Sequence, residues 1–132
     1  MRFTGYIPDD DVLAIRSTAD LCVAPDPKHE LNDVSSMNKV VEYMTLAKPL
    51  VAYDLREVRA SAGEAAVYAR PNDPLDFANK IVELLASPER RRAMGEAGRA
   101  HVESTLAWEH QSAVLLAMYR DLVGAAAPRR AS

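Results

Sequence analysis

The sequence predicts an α/β fold, a parallel sheet flanked by helices, with a helical C-terminal half. Three observations predict it. Leu21-Cys22-Val23-Ala24, Leu50-Val51-Ala52-Tyr53 and Ala65-Ala66-Val67-Tyr68-Ala69 are short continuous apolar runs, the pattern of strands buried on both faces of a parallel sheet. Helix-spaced apolar residues separate the first two, and such alternation builds right-handed βαβ units. From Leu75 onward the apolar spacing is helical only.

The opening Arg2-Phe3-Thr4-Gly5-Tyr6-Ile7 reads as the end of a short strand and a turn. Pro8 suits a helix's first turn, and Asp9, Asp10 and Asp11 complement its dipole. Val12, Ile15 and Ala19 give that helix one apolar face. Pro25 stops the first strand. Prolines and Asx residues then make Pro25 to Val34 a polar loop without regular structure. Ser35 or Ser36 is placed as the N-cap of a helix over 36–47, with Met37, Val40, Val41, Met44 and Ala47 at helical spacing and Pro49 as its stop. Pro71-Asn72-Asp73 closes the third strand. A helix from Leu75 to Ala86 carries Phe77, Ile81, Leu84 and Leu85 on one face. Ser87-Pro88-Glu89 combines an N-cap, a first-position proline and an acid. The helix it opens runs to about His101, with Met94, Ala97 and Val102 inward. A last helix spans Trp108 to Val123 with Trp108, Leu115, Tyr119 and Leu122 aligned. Residues 1–124 make one domain and 125–132 a flexible tail.

Composition removes several function classes. A chain of 132 residues with 48% hydrophobic content is one domain with material for a core, which excludes general disorder. Sixteen basic against nineteen acidic residues give a net charge of -3, against a nucleic-acid partner. The single Cys22 excludes an internal disulfide framework and a cysteine-rich zinc site. No apolar run approaches the ~20 residues of a membrane helix, and the start has no signal-peptide core. The expectation is a cytoplasmic protein with no integral membrane segment.

Open parallel sheets bind ligands beyond the carboxyl ends of their strands, here Ala24-Pro25 and Tyr53-Asp54. The helix opening at Ser35-Ser36-Met37-Asn38-Lys39 stands at the first of these ends. Free N–H groups at such an opening attract anions, and the serine hydroxyls and the Lys39 ammonium would strengthen a phosphate site. Asn38, Lys39 and Glu42 are spaced to face one side of the helix mouth, where a carboxylate suits a sugar's vicinal hydroxyls. An N-cap and a solvated Lys39–Glu42 pair worth about 0.5 kcal/mol satisfies the same spacing, and spacing alone favours it. Asp33, Glu30 and Glu57 are weaker candidates with turn or cap roles open to them. His29, His101 and His110 lack metal-ligand spacing, so no metal site is expected. Cys22 reads as a small buried hydrophobe and Arg90-Arg91-Arg92 as a solvated helix face. Gly95 and Gly98 fall within a helix, so no phosphate-binding glycine loop is present.

The segment Asn32-Asp33-Val34-Ser35-Ser36-Met37-Asn38-Lys39-Val40-Val41-Glu42-Tyr43-Met44, with Ala47-Lys48-Pro49-Leu50-Val51-Ala52, resembles the donor-binding region of the group 1 retaining glycosyltransferases of two-Rossmann GT-B architecture. Phe3-Thr4-Gly5-Tyr6, Ala19-Asp20-Leu21-Cys22-Val23-Ala24-Pro25, Glu57, Gly63, Pro71 and Trp108…Tyr119 fall in family positions, so the resemblance runs from about Phe3 to Leu122. It implies a Rossmann-like domain that binds a nucleoside-diphosphate sugar as donor substrate and takes no cofactor. Of the family's two glutamates, Glu42 matches the second, which binds the nucleotide ribose. The first falls on Val34, and its neighbour Asp33 is the substitute for the catalytic carboxylate if the loop shifts. The resemblance further implies that Ser35, Ser36 and Lys39 meet the diphosphate or the sugar, with Asn38 beside them as a substrate-binding residue.

Family members also carry an N-terminal acceptor domain, and before the Phe-Thr-Gly turn a strand and helix with an Arg and a Lys for the departing diphosphate. The chain begins at that turn, so two expectations follow. Sugar transfer needs a partner that completes the machinery. An uncovered sheet edge or apolar face draws the chain into self-association or onto an N-terminal acceptor-domain chain. The alternative is a noncatalytic nucleotide-binding or regulatory module, or a remnant.

Overall fold

The structure, a computed structural model, describes residues 4–125. Strands β1 (Cys22–Ala24), β2 (Leu50–Tyr53) and β3 (Ala66–Ala69) form a parallel sheet in the order β1-β2-β3. Val23 lies opposite Val51, and Val51 opposite Val67. The helices are α1 (Asp9–Thr18), a single turn α2 (Glu30–Asp33), α3 (Asn38–Thr45), α4 (Arg56–Ala62), α5 (Pro74–Leu85), α6 (Pro88–His101) and α7 (Trp108–Ala125). This is the Rossmann-like α/β arrangement expected, with a helical C-terminal half. Residues 126–132 of the expected tail lie outside the described residues, and the α7 backbone is helical to Ala125.

All of β2 is buried, as a central strand must be. The expectation of burial on both faces fails at β1. Cys22 and Ala24 point into the core, but Val23 is 38% exposed, because β1 is an edge strand. The apolar face expected on α1 is open too: no α1 residue is buried, and Leu13 and Ile15 are exposed. Arg2 and Phe3 of the strand end expected at the opening lie outside the described residues. Residues 4–8 are irregular, and Gly5 turns the chain with φ 68°.

The helix expected over 36–47 is shorter, and neither serine caps it. Met37 occupies the N-cap without a side-chain bond, because Ser35 Oγ donates back to the Leu31 carbonyl (2.6 Å) and Ser36 Oγ donates to Glu57 (3.2 Å). The polar loop after Pro25 is not wholly irregular. Past its prolines one turn, α2, forms with His29 as its N-cap. Sequence reasoning missed α4, whose inward positions are only Val58 and Ala62.

Asp73 caps α5 through the amides of Leu75 (3.1 Å) and Asp76 (2.9 Å), and Pro74 follows at the first turn. Phe77 and Leu84 face the core, whereas Leu85 is exposed. Ser87 caps α6 by position only. The inward face of α6 is Met94, Gly95 and Gly98, followed by Val102, and Ala97 is exposed. The glycines let α6 close on its neighbours: a Cβ at Gly95 would stand 2.1 Å from the Ala47 carbonyl oxygen. A π-helical stretch, Val102–Leu106, leads to α7. The α7 residues Trp108, Leu115, Tyr119 and Leu122 are all exposed, Trp108 at 66%. No helix among the described residues is long and apolar enough to cross a membrane.

Candidate functional site

The carboxyl ends of the strands open onto the segment between β1 and α3. Three ties hold it. The Lys28 amide donates to Asn72 Oδ1 (2.7 Å), and Asn72 Nδ2 donates to the Lys28 carbonyl (3.1 Å). Asp33 Oδ1 accepts from the Arg56 amide at the start of α4 (3.0 Å) and from Lys28 Nζ (3.3 Å). Ser36 reaches Glu57 as described above. The Arg56 amide, with Lys28 beside it, holds the Asp33 carboxyl below the ordinary carboxylate range. Asp33 is therefore an ionised carboxylate latched onto α4.

At the carboxyl end of β2, Asp54 takes a two-pronged pairing from Arg59, with both contacts at 2.8 Å. The Arg59 guanidinium stacks over the Tyr68 ring at 4.1 Å. Burial pushes the Tyr68 hydroxyl up to about 12, so it stays protonated and donates to the Gly63 carbonyl (2.8 Å).

The mouth of α3 is divided rather than shared. Lys39 Nζ turns to the loop after β1 and pairs with Asp26 Oδ1 at 2.7 Å. Glu42 turns the other way and accepts from Arg16 of α1 at 2.5 Å. The expectation that Asn38, Lys39 and Glu42 face one side is thus corrected, because each charge follows a different oppositely charged neighbour. Asn38 is exposed at the first position of α3, and Ser36 is exposed in the loop before it. Glu42 and Arg16 line a groove of about 580 Å³ between α1 and α3, with Asp9, Asp10, Leu13 and Thr45. Arg16 also lies over the Tyr43 ring at 5.6 Å.

Asp26 was not among the candidates read from sequence. Its signal is an acid within Pro25-Asp26-Pro27 just past a strand end. Among the described residues no three His, Cys, Asp or Glu side chains gather into a metal-holding group. His29 accepts from the Asn32 amide (3.4 Å), and His110 bonds the Glu103 carbonyl (3.0 Å), both local roles. Burial raises the Cys22 thiol pKa, which suits its place as a core residue.

The carboxylates make an acid-side prediction. Arg59 lowers the Asp54 pKa from an ordinary 3.8, and Asp33 and Glu83 are lowered by their own donors. A carboxylate whose folded pKa is depressed binds its proton more readily when unfolded. Its contribution is present above about pH 4 and is lost as pH falls through the lowered folded value. Thermal unfolding followed from pH 7 to pH 3 should show stability falling below about pH 4. Asp54→Asn should flatten that fall. An unchanged slope would remove Asp54 from the account.

Comparison with known proteins agrees with this fold. Residues 1–87 match the family described as Glycosyl transferases group 1. The chain is 31% identical over 128 residues to a D-inositol 3-phosphate glycosyltransferase of Segniliparus rotundus, covering 94% of this chain and 27% of that protein. It is 25% identical over 124 residues to the 2-deoxystreptamine glucosyltransferase of Streptomyces kanamyceticus, covering 92% of this chain and 31% of that one. Among solved structures, sucrose-phosphate synthase from Thermosynechococcus elongatus superposes with a TM-score of 0.81 at 25% identity, over 94% of this chain and 30% of that one. The chain spans about a third or less of the relatives it matches. The matched family region holds the whole sheet, the loop after β1, Lys39 and Glu42, and on that ground the chain belongs to the group 1 glycosyltransferases.

Proposed function

We propose that this chain is the donor-binding part of a retaining glycosyltransferase. It holds a nucleoside-diphosphate sugar, and transfer occurs only when an acceptor domain completes the site. The observation that carries this reading is Glu42, an exposed carboxylate on the matched segment that lines an open groove between α1 and the second half of α3. A carboxylate there can accept from both hydroxyls of a ribose. The amides at the start of α3 serve the diphosphate, with Asn38 beside them, and the hydroxyls of Ser35 and Ser36 join them by turning away from Leu31 and Glu57. Asp33, an ionised carboxylate held by the Arg56 amide, would stabilise positive charge developing on the sugar. Lys39 is already paired with Asp26, so neutralising the departing diphosphate calls for further basic groups. That requirement supports an acceptor domain as partner, and the uncovered β1 edge and α7 face are surfaces suited to it or to a second copy. A cytoplasmic setting and the absence of a cofactor are part of the same proposal.

Thermal unfolding against millimolar UDP, GDP and ADP tests it. A nucleotide at 100 times its Kd should add about 2.7 kcal/mol, on the order of 10 °C in Tm. Glu42→Ala, a change at an exposed position, should remain folded and lose that shift. No shift with any of the nucleotides, or a shift that survives in the variant, would overturn the reading.

A further inference from the structure

Asp26 stands two residues beyond β1, at the end of the sheet where parallel α/β folds take their ligands. Its two carboxylate oxygens have different surroundings. Oδ1 is held by Lys39 Nζ at 2.7 Å. Oδ2 is buried and has no hydrogen-bond partner, the one buried side-chain nitrogen or oxygen so left among the described residues. Buried polar atoms are nearly always paired, and an unpaired one marks a place where a partner belongs. An ionised carboxylate only accepts, so that partner must donate. A phosphate oxygen at neutral pH would be repelled by it, whereas a sugar hydroxyl matches it. The Asp26 side chain keeps 25% of its surface exposed, and a turn of the carboxyl group toward a bound sugar would bring Oδ2 to the mouth.

We propose that Asp26 is a specificity-determining residue of the donor site, whose free oxygen accepts a hydrogen bond from a hydroxyl of the donor's sugar, with Lys39 as the positioning residue that aims it. This rests on the donor-binding reading above. It gives Lys39 a different task from meeting phosphate: its charge fixes a carboxylate, and the carboxylate reads the sugar.

The experiment measures calorimetric binding of UDP, UDP-glucose, GDP and GDP-mannose to the full chain, to Asp26→Asn and to Lys39→Gln. Asp26→Asn removes one acceptor at nearly constant shape. It should weaken the nucleotide sugar on the order of tenfold, the value of a hydrogen bond to a charged group, and leave the bare nucleoside diphosphate within about twofold. Lys39→Gln should move the same ratio in the same direction, and it serves alone if Asp26→Asn does not fold. Equal losses for sugar-bearing and bare nucleotide would make the pair a structural latch and overturn the proposal, as would no loss for either. Nucleotide binding by the unaltered chain with no gain or loss traceable to the sugar overturns this proposal alone. Failure of the unaltered chain to bind any of the four overturns the donor-binding reading and this proposal with it.

Discussion

Gly95→Ala should destabilise the chain by about 3 kcal/mol, the upper end of what overpacking usually costs. Alanine is the better helix former by about 1 kcal/mol, so propensity alone predicts the opposite sign. Geometry decides between them. The added methyl carbon would stand 2.1 Å from the Ala47 oxygen and 2.8 Å from its carbonyl carbon, and both are backbone. That backbone cannot easily step aside. Ala47 already has a positive φ of 53°, and the turn is fixed by the Ala47 amide on Met44 (2.9 Å) and the Lys48 amide on Tyr43 (2.9 Å). Admitting the methyl means moving α6 away from the end of α3, the helix that carries Lys39 and Glu42. Urea unfolding should show a lower midpoint with an unchanged slope. A loss below about 1 kcal/mol would mean the α3–α6 contact is softer than it looks.

Met44→Ala should cost a similar amount, about 3 kcal/mol within the 2–5 kcal/mol range for emptying a buried methionine site. Met44 is fully buried on the inner side of α3, and a Cβ added at Gly98 would meet its Cγ at 3.3 Å. The side chain thus fills the space that the small face of α6 leaves open. Removing it makes a cavity beneath the helix whose outer side forms the candidate site. Chemical unfolding of the variant measures the cost directly, and a change within 0.5 kcal/mol would show that the neighbours collapse into the gap.

The strands were legible because each is a short apolar run stopped by proline or turn residues, and β2, buried on every residue, matches that pattern fully. The long C-terminal helices were legible from periodicity and from start signals such as Pro74 and Pro88. α4 was not, since two inward residues make no stripe. On the inner face of α6, Met94 and Val102 were legible, but Ala97 was misplaced and the glycines were missed, for a related reason. Periodicity searches look for large apolar side chains, and this face works by having none at Gly95 and Gly98. In the candidate site, the helix that carries Lys39 and Glu42 was legible, but the directions its side chains take were not. Spacing along a helix says which residues are neighbours on its surface, not which way each charge turns. That depends on Asp26 and Arg16, which lie 13 and 26 residues from their partners in sequence.

The Asn72 bonds to Lys28 have a consequence for binding. One side-chain amide gives and takes with a single residue's backbone, as a neighbouring strand would. It does so from the end of β3 to the loop after β1, so the chain crosses above the carboxyl end of β2. Asn72 itself adopts a left-handed φ of 60°, which asparagine tolerates better than most residues. Tying down a mobile segment costs on the order of 1–2 kcal/mol for each residue fixed. In this chain much of that ordering is completed during folding, before any small molecule arrives. A ligand entering at the strand ends meets preorganised peptide groups and keeps more of its interaction energy as affinity.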